Sequence, residues 1–130
     1  MEFIRDFEQF KDKYQLIFAT TLETDRYPDG EIISNAPDPK TRAIIMRQLK
    51  LSRPDIFRRL IISVEPVMDF NTQRFADMIL SCDPELVSIG ADSKGHNLNE
   101  PNTDKLTELI NTLNEFTDVN LKANLNRLLR

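Results

Sequence analysis

The sequence has little cysteine and little glycine, and each shortage excludes a class of site. The one cysteine, Cys82, excludes an internal disulfide and leaves too few thiols for a cysteine-rich zinc or iron–sulfur site. The three glycines are too dispersed to form a glycine-rich phosphate-binding loop, which disfavours P-loop and dinucleotide-binding functions. Gly90, at a predicted strand end, marks a point where the backbone could approach a ligand closely.

Long apolar runs are also missing. The run at residues 60–64 is far too short to cross a bilayer. The first residues include Glu2, Arg5 and Asp6 in place of a basic stretch followed by an apolar segment, so no signal peptide is predicted. We therefore expect a cytoplasmic protein that has no membrane partner.

The composition is that of one globular domain. Of the 130 residues, 40% are hydrophobic and 29% are charged, which is enough apolar material to bury a core and predicts a single domain over residues 1–130. The net charge of −4 argues against a nucleic-acid partner, because such binding depends on neutralising phosphates with Lys and Arg.

One segment is basic within this acidic chain. Between residues 38 and 59, seven Lys and Arg residues are opposed by Asp38 and Asp55 alone. The simpler interpretation is a solvated helix face, and the other is a surface for phosphate or an acidic partner. That candidate surface comprises Arg42, Arg47, Arg53, Arg58 and Arg59.

Hydrophobic spacing predicts strands alternating with helices. Phe3, Ile4, Phe7 and Phe10 recur at helical spacing, which predicts an amphipathic helix over the first dozen residues. Strands are predicted at 15–21, 60–64, 86–89 and 119–121, and helices at 39–50, around 75–79, from about 102, and at 123–129. This alternation predicts an α/β fold, a half-barrel or open parallel sheet of about four strands preceded by the amphipathic helix.

Polar residues follow each predicted strand. In parallel sheets, ligands bind beyond the carboxyl ends of the strands, where the following loops gather. The sequence therefore predicts a candidate pocket at this edge. Its residues are Thr21, Glu23, Arg26, Glu65, Asp92, Ser93, Lys94, His96, Asn97 and Lys122.

Three of the polar residues have a functional and a structural interpretation. Glu65, followed by Pro66 at a strand end, is the better candidate for a functional carboxylate, whereas Asp69 is favoured as a helix N-cap. His96, the only histidine, lies near Asp92 and could transfer a proton or bind an anion. The simpler alternative is a loop that satisfies its own backbone. No metal-ligand spacing is present.

Four segments of the sequence stand out together: SVEPVMDF at 63–70, VSIGADSKGHNL at 87–98, LKANL at 121–125 and FATTLETDR at 18–26. They resemble the C-terminal half of small radical S-adenosylmethionine (radical SAM) proteins of phages and bacteria, and the last resembles an inner strand of that partial barrel. The resemblance covers nearly the whole chain from residue 15 onward.

The resemblance implies a truncated TIM-like barrel without its chemistry. Members of that family use three closely spaced cysteines to hold an iron–sulfur cluster, and this sequence has none of them. The first hypothesis is a non-catalytic binding or inhibitory protein, phage-encoded and anti-defence. The alternative is a C-terminal fragment or subunit of a split radical SAM enzyme that lines the substrate and S-adenosylmethionine pocket, with that cofactor expected only beside a cluster-bearing partner. The third hypothesis is a stand-alone enzyme that uses Glu65, Asp92 and His96.

A half-barrel would expose strand edges and an inward face. We expect a homodimer or a partner protein to cover them.

Overall fold

The sheet is parallel and open. The computed structural model describes residues 2–29, 31 and 33–130, without the side chains of residues 2 and 3. Four parallel strands pair in chain order and do not close into a barrel, which confirms the predicted fold class. The strands are β1 (Phe18–Thr21), β2 (Leu60–Val64), β3 (Leu86–Ile89) and β4 (Asp118–Leu121).

Helices connect the strands. They are α1 (Glu2–Glu8), α2 (Pro39–Ser52), α3 (Thr72–Ser81) and α4 (Thr103–Asn114), and a short 3₁₀ helix covers Ala123–Leu128. Among the described residues, none of these helices has the length and apolar character needed to cross a membrane.

The core lies between the helices and one face of the sheet. In β2, Leu60, Ile62 and Val64 are buried, whereas the two residues between them are only partly so. The buried residues join one cluster with the apolar side chains of α3 and α4, such as Phe75 and Leu109. Because side chains alternate along a strand, the helices cover one face of the sheet.

The other face is uncovered, and we call it the open face. Strand register aligns its side chains in two rows, since paired residues point the same way. The side chains are exposed or only partly buried. The lower row is Ala19, Ile61, Leu86 and Asp118, and the upper row, nearer the carboxyl ends, is Thr21, Ser63, Ser88 and Asn120.

Side-chain caps fix where the three long helices begin. Asp38 accepts a hydrogen bond from the Thr41 amide at 2.8 Å and caps α2. The corresponding cap of α3 is Asn71, not Asp69, so that prediction is wrong. The Asp69 carboxylate instead accepts a hydrogen bond from Lys105 Nζ at 2.6 Å.

The N-terminal helix is shorter than predicted. It ends at Glu8, and turns follow, in which the Phe10 amide donates to the Phe7 carbonyl at 3.0 Å. Ile4 and Phe7 pack, together with Leu16, against a small cluster of Leu49, Ile56 and Phe57. The predicted apolar face thus covers the flank of α2, although Phe3 lies outside the described side chains and Phe10 is exposed.

Candidate functional site

Glu65 and Lys122 meet at the carboxyl ends of the strands. The Lys122 ammonium forms an ion pair with the Glu65 carboxylate, and Asn124 Nδ2 donates to Glu65 Oε1 at 3.2 Å. These two contacts, Lys122 first, hold the pKa of Glu65 below its usual value. Two residues of the predicted pocket, distant in sequence, therefore form one charged pair.

Glycine at position 90 makes room for this pair. A Cβ built on Gly90 would lie 2.6 Å from Glu65 Cδ, closer than side chains tolerate. Asn124 secures the same region, because its Oδ1 accepts from the Ala91 amide and its Nδ2 donates to the Ala91 carbonyl, each at 3.0 Å. The close approach predicted at Gly90 is thus made by a side chain of the same chain.

Glu23 belongs to a separate cluster. Arg42 Nη2 donates to Glu23 Oε2 at 2.8 Å and to the Tyr27 hydroxyl at 3.0 Å, and Arg42 also donates to the Thr21 carbonyl. The side chains of Arg42 and Glu23 are each only 14% exposed. Burial, followed by the nearby Glu23 charge, raises the pKa of Tyr27. The cluster ties the start of α2 to the end of β1.

Asp92 organises the loop after β3. Its carboxylate, only 7% exposed, accepts from the Lys94 amide at 3.0 Å and the His96 amide at 2.6 Å, and lies 2.9 Å from His96 Nδ1. The Lys94 amide is the first cause of the low pKa of Asp92, ahead of the contacts with His96. Gly95 and Asn97 both adopt positive φ where the loop turns. These contacts favour the simpler interpretation of His96, a loop that satisfies its own backbone.

Arg26 and Ser93 stand apart from the Glu65–Lys122 pair. Arg26 Nη2 pairs with Asp29 at 2.6 Å at the rim of a cleft, and Ser93 is exposed in the Asp92 loop. The cleft, of about 760 Å³, lies between residues 25–29, the start of α2 and α3. The candidate residues thus form separate groups and not one pocket. The predicted pocket did not include Asn124 and Tyr27, because the tertiary fold brings their partners Glu65 and Arg42 to them.

The basic segment is largely neutralised. Arg53 pairs with Glu8 and Asp55, and Arg59 with Glu85, at 2.8 to 3.0 Å. Within the part of the chain that the structure describes, Arg47 and Arg58 have no carboxylate at ion-pair distance. The candidate basic surface is therefore reduced to two arginines that remain exposed.

Cys82 does not fit the role of a cluster ligand. It is buried at the end of α3, where its Sγ donates to the Ala43 carbonyl at 3.5 Å, and burial raises its pKa. The described residues contain no group of three potential metal ligands. The described residues of the chain thus do not fit an iron–sulfur cluster.

Comparison with protein-family models, curated proteins and solved structures found no match to this chain.

Proposed function

We propose that the chain is a non-catalytic binding protein on a truncated radical SAM-like scaffold, and that a second copy of the chain covers its open face. The uncovered open face is the observation that supports this proposal. Parallel sheets occur almost only with both faces covered, yet here the helices cover one. A polypeptide over the second face would restore the usual arrangement.

Strand number and strand order favour a second copy as the cover. The sheet has four parallel strands, half of the eight in a closed (β/α) barrel, and each edge strand pairs on one side. In a two-fold dimer, β4 of one protomer would lie beside β1 of its partner and continue the parallel order at both seams. Two copies would leave no free edge.

The open face is suited to the interior of such a barrel. The side chains at Ala19, Thr21, Ser63 and Ser88 are small, so two sheets can face each other across a narrow space. Asn120 Nδ2 already donates to Ser88 Oγ at 3.2 Å, and the other hydroxyls of the upper row could pair across the dimer.

The strand-end carboxylates support a non-catalytic role. Glu65 is paired with Lys122, Glu23 with Arg42, and Asp92 with backbone amides of its own loop. Each therefore stabilises local structure, whereas an acid–base pair would share one pocket. We propose more specifically that the protein is phage-encoded and has an inhibitory, anti-defence role in the cytoplasm. Its small size and acidic charge support this proposal.

One observation favours the alternative, a C-terminal subunit of a split radical SAM enzyme. The hydroxyl row and the Glu65–Lys122 pair lie at the carboxyl ends of the strands, where barrel enzymes bind substrates. That alternative predicts a monomer that forms a one-to-one complex with a cysteine-bearing chain.

The solution masses of the wild-type chain and two variants test the proposal. By light scattering coupled to gel filtration at about 100 µM, we expect a dimer of about 30 kDa, twice the 15.1 kDa of one chain. Ser63→Arg places a charge in the middle of the open face and should give a monomer with an unchanged circular dichroism spectrum. Thr107→Arg, the same kind of change on an exposed position of α4, should remain dimeric.

A monomeric wild-type chain would overturn the proposal that a second copy covers the open face. A dimer that Ser63→Arg leaves intact would overturn it too, because the copies would then meet through another surface.

A further inference from the structure

Helix α2 carries an exposed stripe of alternating basic and apolar residues. Lys40, Ile44, Arg47 and Leu51 are spaced four, three and four residues apart, so they share one side of the helix, and we call them the α2 stripe. Ile44 is 46% exposed and Leu51 71%. The core-facing side of the same helix buries Ala43 and Leu49.

The cations of the stripe are not neutralised by their surroundings. Lys50 and Arg42, on other sides of α2, pair with Asp83 and Glu23. Among the described residues, Lys40 and Arg47 have no carboxylate at ion-pair distance. The Lys40 charge acts on Asp38 at the helix cap, without direct pairing. The stripe therefore presents two positive charges without an ion-pair partner, which alternate with two exposed aliphatic side chains.

A concave surface adjoins one end of the stripe. Lys40 lines the cleft of about 760 Å³, opposite Met78 and Ser81 of α3. Four aspartates line it as well, of which Asp25 and Asp29 pair with Arg74 and Arg26, whereas Asp38 and Asp77 have no cation at ion-pair distance among the described residues. The remaining stripe residues continue along α2 from this cleft for about 16 Å, at the helical rise of 1.5 Å per residue.

We propose that the α2 stripe binds an acidic amphipathic helix of a partner protein. An apolar face on that helix would cover Ile44 and Leu51, and Glu or Asp beside it would pair with Lys40 and Arg47. Two helices pack through side chains spaced three and four residues apart on each of them, and about three turns of a partner helix match the length of the stripe. The inference rests on the proposed binding role but not on the dimer, because the stripe lies on the side of α2 away from the sheet.

Two synthetic peptides test the charge preference. Both are labelled with fluorescein, are about 18 residues long and carry leucines at i, i+4, i+7 and i+11. One carries glutamates at the flanking positions, the other lysines. In fluorescence anisotropy titrations at low salt, the glutamate peptide should bind at least about tenfold more tightly, and added salt should weaken it. No binding of the glutamate peptide at about 500 µM protein, or equal binding of both, would overturn the proposal.

Substitutions then locate the site. Arg47→Glu and Leu51→Ser should each weaken binding of the glutamate peptide by about tenfold, since one reverses an attractive charge and the other removes an apolar anchor. Arg58→Glu is the matched control, because Arg58 is also exposed and outside the stripe. If Arg58→Glu lost as much affinity for the glutamate peptide, the peptide would be attracted by net charge alone. That result would contradict binding at the α2 stripe. Tight glutamate-peptide binding by a monomeric chain would refute the dimer and leave the stripe intact.

Discussion

At the scale of single residues, Gly90 connects the sequence to the candidate site. Its missing side chain leaves room for Glu65 to reach Lys122 across the end of β3. The sequence could predict a close approach at this position, because glycine lacks a Cβ. It could not predict what approaches, since Lys122 lies far along the chain and only the order of the strands brings it near.

Gly90→Ala should therefore destabilise the chain through Glu65. The added methyl group would displace the carboxylate and disturb its ion pair, at a cost of about 1–3 kcal/mol in the free energy of unfolding, measured by urea denaturation. In a Glu65→Ala background the same substitution should cost much less. An equal cost in both backgrounds would mean that Gly90 matters for a reason other than Glu65.

At the scale of secondary-structure elements, sequence patterns predicted which elements form better than how they begin and end. The buried runs at β2 and β3 have the predicted bounds, and Pro66 follows β2 while Pro84 and Gly90 flank β3 as residues that end or punctuate strands. The start of α3 was wrong because Asp69 and Asn71 are both capping residue types. The structure resolves the choice, since the Asp69 carboxylate bonds to Lys105 and Asn71 Oδ1 accepts from the Arg74 amide at 3.0 Å.

The cap assignment predicts a difference between two asparagines. Asn71→Ala should lower the free energy of unfolding by about 1 kcal/mol, because the first turn of α3 would lose its side-chain acceptor. Asn111→Ala, at an exposed position inside α4, should be neutral or slightly stabilising, since alanine is the better helix former. Thermal unfolding compares them, and equal effects would contradict the assignment.

At the scale of the whole molecule, the alternation of strands and helices was sufficient to predict a parallel sheet. Parallel neighbours require crossover connections, and four strands are too few to close a barrel. The sequence did not predict how the charges of the basic segment are balanced. The charges of Arg53 and Arg59 are balanced by Glu8 and Glu85, which are remote in sequence and close only in the fold.

The reactivity of a thiol on the open face tests whether a second copy of the chain covers that face. In Ser88→Cys the new thiol lies in the upper row, while Cys82 reacts slowly because it is buried and its pKa is raised. We expect the labelling rate with a thiol reagent to fall by about tenfold as the protein concentration rises from about 1 to 100 µM, because dimerisation obeys mass action. Ser81→Cys, exposed on α3, should label at one rate throughout. If Ser88→Cys also reacts at one rate at every concentration, the open face is not covered by a second copy.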